Sequence, residues 1–313
     1  MKITFLYPNS IRSPHFVHLT WAKYLNARII RTPMGFGFFD INKIPNSDVL
    51  LLESLYCLPF AKIYKDKRNK ECKIISIIAD TSFWKDKLSI FRDIYYKLYL
   101  GCVDGFIAVS ERIKQDIQNY INRPVVVVRP FLVNKFVCKK NKFNKKILFI
   151  GNEAKEKGYL KLIEATRHLP GFELFLVGNC CKKIRTRKPN IHVEGRVSNL
   201  KRYFDICTYY VHPADFDPCP VSVWEAMYSG LISIISKGVG QSEILIKECK
   251  ELMLKDNKPI TIAKKLVEID NLSDYDKIDL SNKCKKIAKN FTKEKSVKEF
   301  KKSFFELLAN IEK

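Results

Sequence analysis

The sequence lacks long apolar runs, paired-cysteine motifs and the glycine-rich loops of the common nucleotide-binding proteins. No apolar stretch approaches the roughly 20 residues that span a bilayer. The first apolar run, within "MKITFLYPNSIRS", is too short for the core of a signal peptide. The sequence therefore predicts a cytoplasmic protein.

Glycine motifs for phosphate binding are missing from the first strand region. The segment "YPNSIRSPH" stands where a dinucleotide-binding protein would carry G-x-G-x-x-G, and no G-x-x-x-x-G-K-[ST] occurs in the chain. Nicotinamide and P-loop chemistry are therefore disfavoured.

Cysteine is present ten times, but no two residues stand in a C-x-x-C arrangement. Several lie in apolar, strand-like runs, among them Cys102, Cys207 and Cys249. This usage predicts reduced, mostly buried thiols and no metal site.

Acidic residues are scarce: 33 Asp and Glu stand against 56 Lys and Arg, and the formal net charge is +23. Residues 1–140 carry +12 and residues 141–313 carry +11, so the excess is not confined to a tail. Such a field attracts nucleic acid, anionic membranes and anionic substrates alike. A coding bias toward Lys, Ile and Asn explains the charge equally well.

Short, continuous apolar runs alternate with segments of helical periodicity along the chain. "KITFLY", "DVLLLE", "KIISIIA" and "GFIAVS" precede a basic linker at 138–146, after which "KILFIG", "CTYYV", "LISIIS" and "KELMLK" follow. Continuous apolar strands between helices indicate a parallel sheet covered on both faces. We predict an α/β protein with two doubly wound domains, namely 1–140, joined by a closing helix at 296–313, and 141–295.

The segment "HPADFDPCPVSVWEAMYSG", residues 212–230, places two carboxylates around one short predicted helix. Pro220 suits a first helical position and Gly230 a helix end, so Asp217 precedes the helix and Glu225 lies inside it. A helix start offers N–H groups and partial positive charge to an anionic or hydroxyl-rich ligand. A capping Asp and a solvated Glu would give the same spacing.

A candidate phosphate site lies in "FIGNEAKEKGYLKLIEA", where a strand ending in Gly151 leads through a polar loop to Lys157, Gly158 and a helix. A lysine at a helix start can neutralise a diphosphate whose oxygens the backbone N–H groups also reach. Lys-Gly before a helix is common, so the motif alone is a weak signal.

In this order, the segments of the second half resemble the retaining nucleotide-sugar glycosyltransferases of family 4, which have the GT-B fold of two Rossmann-like domains facing across a cleft. The resemblance runs from about Lys146 to the C-terminus, through "ILFIGNEAKEKGYLKLIEATRHLP", "LFLVGN", "VEGRVSNLKRYFDICTYYVHPADFDPCPVSVWEAMYSGLISIIS" and "GVGQSEIL". It implies retaining transfer of a hexosyl group from a nucleoside diphosphate sugar to a hydroxyl acceptor, with no metal or other cofactor.

The resemblance also implies roles for single residues. Asp217 would face the hydroxyls of the donor sugar, Glu225 would hold the ribose and Lys157 would contact the diphosphate. Further donor contacts are implied for Gly151 and Asn152, for Lys155 and Arg196 assisting Lys157, for Val197 in the base-binding loop that begins at Gly195, for the N–H groups of Cys219, Val221 and Ser222, and for Glu243 in "GQSEI".

Several positions depart from the family pattern. Asp217 stands where glutamate is usual, Pro218 and Pro220 replace glycines and lack N–H donors, and Asn152 replaces an arginine. The first half has no glycine-rich loop, and residues 79–80 lack the common histidine.

The first half contains an aromatic, basic segment at 80–101, "DTSFWKDKLSIFRDIYYKLYLG". It could be an interfacial surface for a lipid-linked acceptor at an anionic membrane, which would make the protein peripheral there. More often such a segment is a core-facing helix with a solvated basic side. His15 and His18 could line the cleft, but a helix surface is predicted for each, and His212 is predicted at the end of its strand.

The sequence is also compatible with two other functions. Nucleotide-sugar 2-epimerases share the GT-B fold but need further acid–base groups in the first domain, which the sequence does not assign. The hypothesis of a nucleic-acid-binding protein is supported by the charge alone, since the sequence has no recognisable binding motif.

Overall fold

The computed structural model describes residues 1–10, 13–34, 37–87, 89–138 and 143–312, apart from the side chains of Lys87 and Lys183. The chain divides into two compact units, Met1–Pro130 with Lys293–Lys313, and Phe131–Thr292.

The division between the units falls ten residues before the predicted boundary at 140. The segment after residue 130 bonds within the second unit, since the Leu132 N–H donates to the Phe291 carbonyl at 2.8 Å. Residues 139–142 of the predicted linker lie outside the described residues.

The first unit contains a six-stranded parallel sheet in the order β2-β1-β3-β4-β5-β6. Its strands are β1 (Ile3–Pro8), β2 (Arg28–Thr32), β3 (Val49–Leu52), β4 (Lys73–Ile78), β5 (Gly105–Ala108) and β6 (Val125–Val127). The helices between them are α1 (Phe16–Tyr24), α2 (Leu58–Lys67), α3 (Ile90–Tyr99) and α4 (Glu111–Gln118). β3 and β5 are buried along their whole length, as continuous apolar runs predict.

The second unit contains a five-stranded parallel sheet in the order β11-β10-β7-β8-β9. Its strands are β7 (Lys146–Ile150), β8 (Glu173–Val177), β9 (Ile191–Gly195), β10 (Tyr209–His212) and β11 (Ile232–Ile235). Its helices are α5 (Tyr159–Ala165), α6 (Lys201–Ile206), α7 (Val221–Tyr228), α8 (Ser242–Glu248), α9 (Pro259–Asp270) and α10 (Asp274–Ala288). Both units are therefore doubly wound α/β folds, as predicted.

The last helix, α11 (Lys293–Ile311), packs on the first unit. The Trp21 ring of α1 stacks on Phe300 with 4.9 Å between centroids, and its Nε1–H donates to the Ser296 Oγ at 3.1 Å. Helical spacing of the buried Val297, Phe300 and Phe304 explains why a closing helix could be predicted.

Some local predictions were wrong. "KELMLK" is a short 3-10 turn, Lys250–Leu252, followed by one isolated bridge from Met253 to Ile235, so it adds no strand to the sheet. Cys102 lies in a 3-10 turn, and Cys207 and Cys249 follow the ends of α6 and α8. Nine of the ten cysteines are buried, and Cys102 is half-buried.

Helix α3 faces the protein with its tyrosines, as predicted for a core-facing aromatic helix, but its exposed side is apolar as well as basic. Its tyrosines face the protein, while Ile90, Phe91, Ile94 and Leu98 are exposed. The tyrosine hydroxyls find backbone carbonyl partners on the protein side, which aliphatic side chains could not use. Within the described parts of the chain, no helix has the length and apolar character needed to cross a membrane.

Candidate functional site

Three loops meet at the C-terminal ends of the neighbouring strands β7, β10 and β11. The Asp215 N–H donates to the Glu156 carbonyl at 2.7 Å, which joins the first two loops. The Asp217 N–H donates to the Gly238 carbonyl, and the Gly240 N–H to the Asp217 carbonyl, both at 2.9 Å, which joins the second and third. Open α/β sheets bind ligands at this edge.

Two glycines allow this close packing. Gly158 has φ +82°, and a Cβ there would lie 2.1 Å from the Pro213 carbonyl oxygen. A Cβ at Gly238 would lie 2.2 Å from the Ala214 carbonyl oxygen. A larger residue at either position would push the loops apart, so the two glycines determine how closely Lys157 approaches Asp217.

Asp217 is buried between a cationic partner, Lys157, and a polar partner, His212. Its Oδ2 lies 2.7 Å from the Lys157 Nζ and 2.9 Å from the His212 Nε2, and only 4% of the residue is exposed. Burial alone would raise the pKa of Asp217, but the charge of Lys157 and the hydrogen bond to His212 outweigh it and hold the pKa at about 2. The carboxylate is therefore ionised throughout the physiological range.

His212 ends β10, as predicted, and connects Asp217 to α7. Burial lowers the pKa of the ring, so it is neutral, and the carboxylate at 2.9 Å fixes its one N–H on Nε2. Nδ1 can then accept from the Tyr210 hydroxyl at 3.3 Å, and that hydroxyl lies 2.9 Å from the Ser222 Oγ. No local pattern predicted this hydrogen-bond chain, which runs from Ser222 to Asp217.

Glu225 lies inside α7, as predicted, and is 6% exposed. Its Oε1 accepts from Asn134 twice, from Nδ2 at 2.6 Å and from the backbone N–H at 3.2 Å. Burial raises the pKa of Glu225 to about 7, although the two Asn134 hydrogen bonds act in the opposite direction. A solvated Glu is excluded. Asn134 was missed because it lies in an irregular stretch without a motif.

Helix α7 starts at Val221, so Pro220 precedes the first helical position rather than occupying it. The helix ends before Gly230, whose φ of +85° closes the last turn as predicted. The Gln241 Nε2 donates to the Pro220 carbonyl at 2.7 Å and fixes the helix start against the loop after β11. The N-terminus of α7, with its partial positive charge, thus lies in the same group of loops as Asp217.

The other predicted residues lie around this centre. Gly151 follows β7 directly, and the Asn152 Oδ1 accepts from the Ala154 N–H at 3.0 Å. Lys155 is exposed in the turn that carries Lys157. Cys219 is buried, Val221 is half-buried at the helix start, and Glu243 is half-buried in the first turn of α8.

The predicted base-binding loop lies at the end of β9, two strands from β7. At about 4.8 Å per strand it is about 10 Å away, and Arg196 is exposed while Val197 is half-buried. The Gly178 N–H donates to the Gly195 carbonyl at 2.6 Å and the Cys180 N–H to the Gly151 carbonyl at 3.2 Å, which connects this loop to the lysine loop through the end of β8. A ligand that contacts both the base-binding loop and the Lys157 loop must therefore be extended.

A second group of titratable residues lies in the first unit. His18 is buried, contrary to the predicted surface position, and its Nδ1 lies 3.4 Å from the Glu53 Oε1. The Glu53 carboxylate also accepts from the backbone N–H of His15, the residue that precedes α1. His18 is buried because it lies on the same side of α1 as Trp21 and Ala22.

Metal binding was not predicted, and among the described residues no three His, Cys, Asp or Glu side chains come together as a metal site would require. Metal independence itself stays a prediction.

Solved structures of similar architecture include two that match over nearly the whole chain. Anabaena HepE, in complex with UDP and glucose, has a TM-score of 0.80 at 12% identity, covering 98% of this chain and 100% of that one. Sucrose-phosphate synthase from Thermosynechococcus elongatus has a TM-score of 0.76 at 12% identity, covering 99% and 100%. Two parallel sheets with flanking helices, matched over these lengths, define the GT-B fold class.

The model of the glycosyl transferases group 1 family matches residues 133–307, more than half of the chain. The protein belongs to this family and is a glycosyltransferase. It is also similar to an uncharacterized glycosyltransferase of Methanocaldococcus jannaschii, with 27% identity over 310 residues that cover 87% of this chain and 78% of that protein. Family membership supports the glycosyltransferase prediction over the epimerase and nucleic-acid alternatives.

Proposed function

We propose that the protein transfers a hexosyl group from a nucleoside diphosphate sugar to a hydroxyl acceptor, with retention of anomeric configuration. The observation that carries the proposal is the contact of Lys157 with Asp217 at 2.7 Å, in the loops that also hold the start of α7. Each part of the donor needs one of the groups found here. The diphosphate needs a cation with helix N–H donors, the sugar needs a carboxylate, and the ribose needs a second carboxylate.

In this proposal the diphosphate binds to Lys157 and to the N-terminus of α7. Both supply positive charge where negative charge develops on the leaving group, and the first-turn N–H groups can donate to its oxygens. In the proposal Cys219, Val221 and Ser222 provide these donors, and Asn152, Lys155 and Arg196 assist Lys157. Lys157 then exchanges part of its contact with Asp217 for the phosphate oxygens.

The two carboxylates accept hydrogen bonds from hydroxyl groups of the donor. An ionised carboxylate offers several lone-pair sites to neighbouring hydroxyls, and Asp217 stays ionised because of Lys157 and His212. It therefore accepts hydrogen bonds from the donor sugar and does not serve as a general acid. Glu225 accepts from the ribose, Gly195 and Val197 contact the base through the backbone, and Gly151 and Glu243 border the donor.

Uridine nucleotides are the first donors to test. HepE was crystallised with UDP and with UDP-glucose, and its fold is shared by this chain, which supports uridine nucleotides as the first choice. Retention is tested by proton NMR of the transferred sugar early in the reaction. We expect the anomeric coupling of the donor to be kept in the product, and an inverted product would contradict the proposal.

Replacing Lys157 with alanine should weaken binding of UDP far more than binding of uridine, since only the former carries the diphosphate. A charge-assisted contact contributes about 1.5–3 kcal/mol, so a loss of about 10-fold to 100-fold in UDP affinity is expected by titration calorimetry. Lys155→Ala is the matched control, because Lys155 is exposed in the same turn, and its effect should be several-fold smaller. Equal losses for UDP and uridine would remove the role of Lys157.

We also propose that the enzyme is cytoplasmic and held peripherally at an anionic membrane. The support is a net charge of +23 with no single basic tail, because each basic residue near such a surface contributes about 1 kcal/mol.

A further inference from the structure

Helix α3 exposes a continuous apolar stripe. The exposed fraction is 78% for Ile90, 86% for Phe91, 50% for Ile94 and 58% for Leu98. Ile90, Ile94 and Leu98 recur every four residues and so lie on one side of the helix, with Phe91 beside them. Single exposed apolar residues are ordinary, but a contiguous patch of large ones marks an interaction surface.

The orientation of this helix is fixed from its other side. The Tyr95 hydroxyl donates to the Leu55 carbonyl at 2.9 Å, and the Tyr96 hydroxyl donates to the Ser82 carbonyl at 2.7 Å. Tyr96 is also buried against Phe83, with 5.5 Å between ring centroids. Turning the aliphatic stripe inward would break both hydrogen bonds, so the stripe stays at the surface of the first unit.

A pocket of about 340 Å³ adjoins the stripe. It is lined by residues 54–56 after β3, by residues 80–82 after β4, and by four side chains of α3, namely Phe91, Arg92, Tyr95 and Tyr96. It therefore lies at the C-terminal ends of two neighbouring parallel strands, where α/β units bind ligands. Its volume is at the lower end of the range for small-molecule sites.

The pocket carries two charged groups with fixed positions. The Asp80 Oδ1 accepts from the Ser82 N–H at 2.8 Å, and the Arg92 Nη1 donates to the Thr81 carbonyl at 3.1 Å. A carboxylate suits hydroxyl groups, and a guanidinium suits a phosphate or further hydroxyls. The aromatic rings beside them offer flat apolar faces, which suit the C–H side of a sugar ring.

We propose that this pocket and stripe bind an amphiphilic acceptor, with its hydroxyl-bearing head in the pocket and its hydrocarbon chain along the α3 stripe at the surface of an anionic bilayer. Phe91 belongs to both the pocket wall and the stripe, so one ligand that is polar at one end and apolar at the other satisfies both. This inference rests on the proposed function, for which it names the acceptor class.

An anionic bilayer is favoured as the source of this ligand by the charge of the chain. The first unit, residues 1–130 with 293–313, has 26 Lys and Arg against 15 Asp and Glu, a net charge of +11, and this field attracts the unit toward anionic headgroups before the stripe inserts. Charge alone would bind weakly and would be released by salt, whereas buried apolar surface is not screened by ions. The two contributions can therefore be separated by salt concentration.

The first experiment is sedimentation with vesicles of phosphatidylcholine, alone or mixed with phosphatidylglycerol, from low salt to about 1 M, where the Debye length is about 3 Å. The natural protein should bind the anionic vesicles and keep a salt-resistant bound fraction. The triple variant Phe91→Ser, Ile94→Ser, Leu98→Ser should lose that fraction and keep the low-salt binding.

A double variant, Tyr275→Ser with Ile278→Ser, is the matched control, because these side chains are 81% and 48% exposed on α10 of the other unit. It should bind vesicles as the natural protein does. Circular dichroism and urea unfolding, measured in parallel, check that each variant is folded. No binding to anionic vesicles, or an unchanged salt-resistant fraction in the triple variant, overturns the inference.

The second experiment tests the pocket with alkyl glucosides of increasing chain length, below the concentration at which they form micelles. Affinity should rise with chain length, by at most about fourfold for each methylene that the stripe covers, and this rise should disappear in the triple variant. Asp80→Asn should weaken every glucoside by a similar factor. Affinity that does not depend on chain length contradicts an amphiphilic ligand.

These outcomes are distinct from those of the proposed function. Release of nucleoside diphosphate from a nucleotide sugar without vesicle binding would remove the membrane acceptor and keep the donor site. Vesicle binding without any nucleotide-sugar turnover would remove the transfer proposal, and with it the assignment of the bound amphiphile as acceptor.

Discussion

Replacing Asp217 with asparagine should lower transfer about 100-fold or more and also destabilise the second unit. The change removes the charge that faces the donor sugar, and loss of one such contact in the transition state commonly lowers turnover by 10²–10³-fold. It also leaves the Lys157 ammonium, whose side chain is only 20% exposed, without its carboxylate partner. Breaking a buried pair on one side destabilises by about 3–5 kcal/mol.

Asp215→Asn is the matched control for this variant. Asp215 lies two residues away and pairs with Lys161 at 2.6 Å, but its side chain is 41% exposed. An exposed pair contributes at most about 1 kcal/mol to stability. The free energy of unfolding and the turnover of this variant should therefore be close to those of the natural protein. Equal behaviour of the two variants in urea unfolding and in turnover would contradict the role given to Asp217.

The stability difference caused by Asp217→Asn should depend on pH. The pKa of Asp217 in the folded protein, about 2, lies below its ordinary value of 3.8. The ionised group therefore stabilises the fold above pH 3.8, and this contribution is lost as the pH falls toward 2. Unfolding curves of the variant and the natural protein should converge over that interval.

Replacing Glu225 with glutamine should have the opposite effect on stability. The pKa of Glu225 in the folded protein, about 7, lies above its ordinary value of 4.5. The fold binds this proton more tightly than the unfolded chain does, so the natural protein loses stability as the pH rises from 4.5 to 7. At pH 8 the variant should be more stable by about 3 kcal/mol, and near pH 5 the difference should be small.

The same variant should bind nucleotides more weakly. A carboxylate accepts from both ribose hydroxyls, and hydrogen bonds to a charged group contribute about 1.5–3 kcal/mol, so UDP affinity should fall about 10-fold to 100-fold at pH 8. In the natural protein UDP affinity should rise with pH through 7, since the ligand prefers the ionised form. Glu225→Gln should abolish that dependence, as measured by calorimetry at pH 6 and 8.

Glu248→Gln is the control for charge alone, because Glu248 is exposed at the end of α8. It should leave both stability and UDP affinity unchanged. UDP binding by Glu225→Gln that matches the natural protein at both pH values would show that Glu225 does not hold the ribose.

The fold was largely predictable because buried parallel strands are continuous apolar runs. Both sheets and the closing helix could be recognised in this way. Helix α10 was missed because much of its sequence is polar, although Ser273 before it accepts from the Asp276 N–H at 3.1 Å, a capping signal visible in the sequence. "KELMLK" was misassigned because a short apolar run does not reveal whether it finds a pairing partner.

Individual site residues were predictable, but their contacts were not. Asp217 and Glu225 could be placed around α7 from local spacing, since prolines and glycine mark the ends of the helix. The pairing of Asp217 with Lys157, 60 residues away, depends on loops packed around Gly158 and Gly238. The Asn134 contact with Glu225 spans 91 residues, and no local pattern encodes it.

The contacts that orient α3 were also beyond local reasoning. A core-facing aromatic side was favoured from the sequence, and the tyrosines confirm it, but the exposure of Phe91 and of the aliphatic side was not predicted. The carbonyls of Leu55 and Ser82, which accept from the tyrosines, come from loops 40 and 14 residues away. Only the folded unit brings them together.

The most direct test of the donor site is release of nucleoside diphosphate from a panel of nucleotide sugars, beginning with UDP-glucose. The natural protein should release nucleoside diphosphate from at least one member of the panel, and Asp217→Asn should do so about 100-fold more slowly. Asp215→Asn should match the natural protein on the same donor. Release by the natural protein that never exceeds that of Asp217→Asn, for any nucleotide sugar, would contradict the assignment of Asp217, Lys157 and Glu225 to a nucleotide-sugar site.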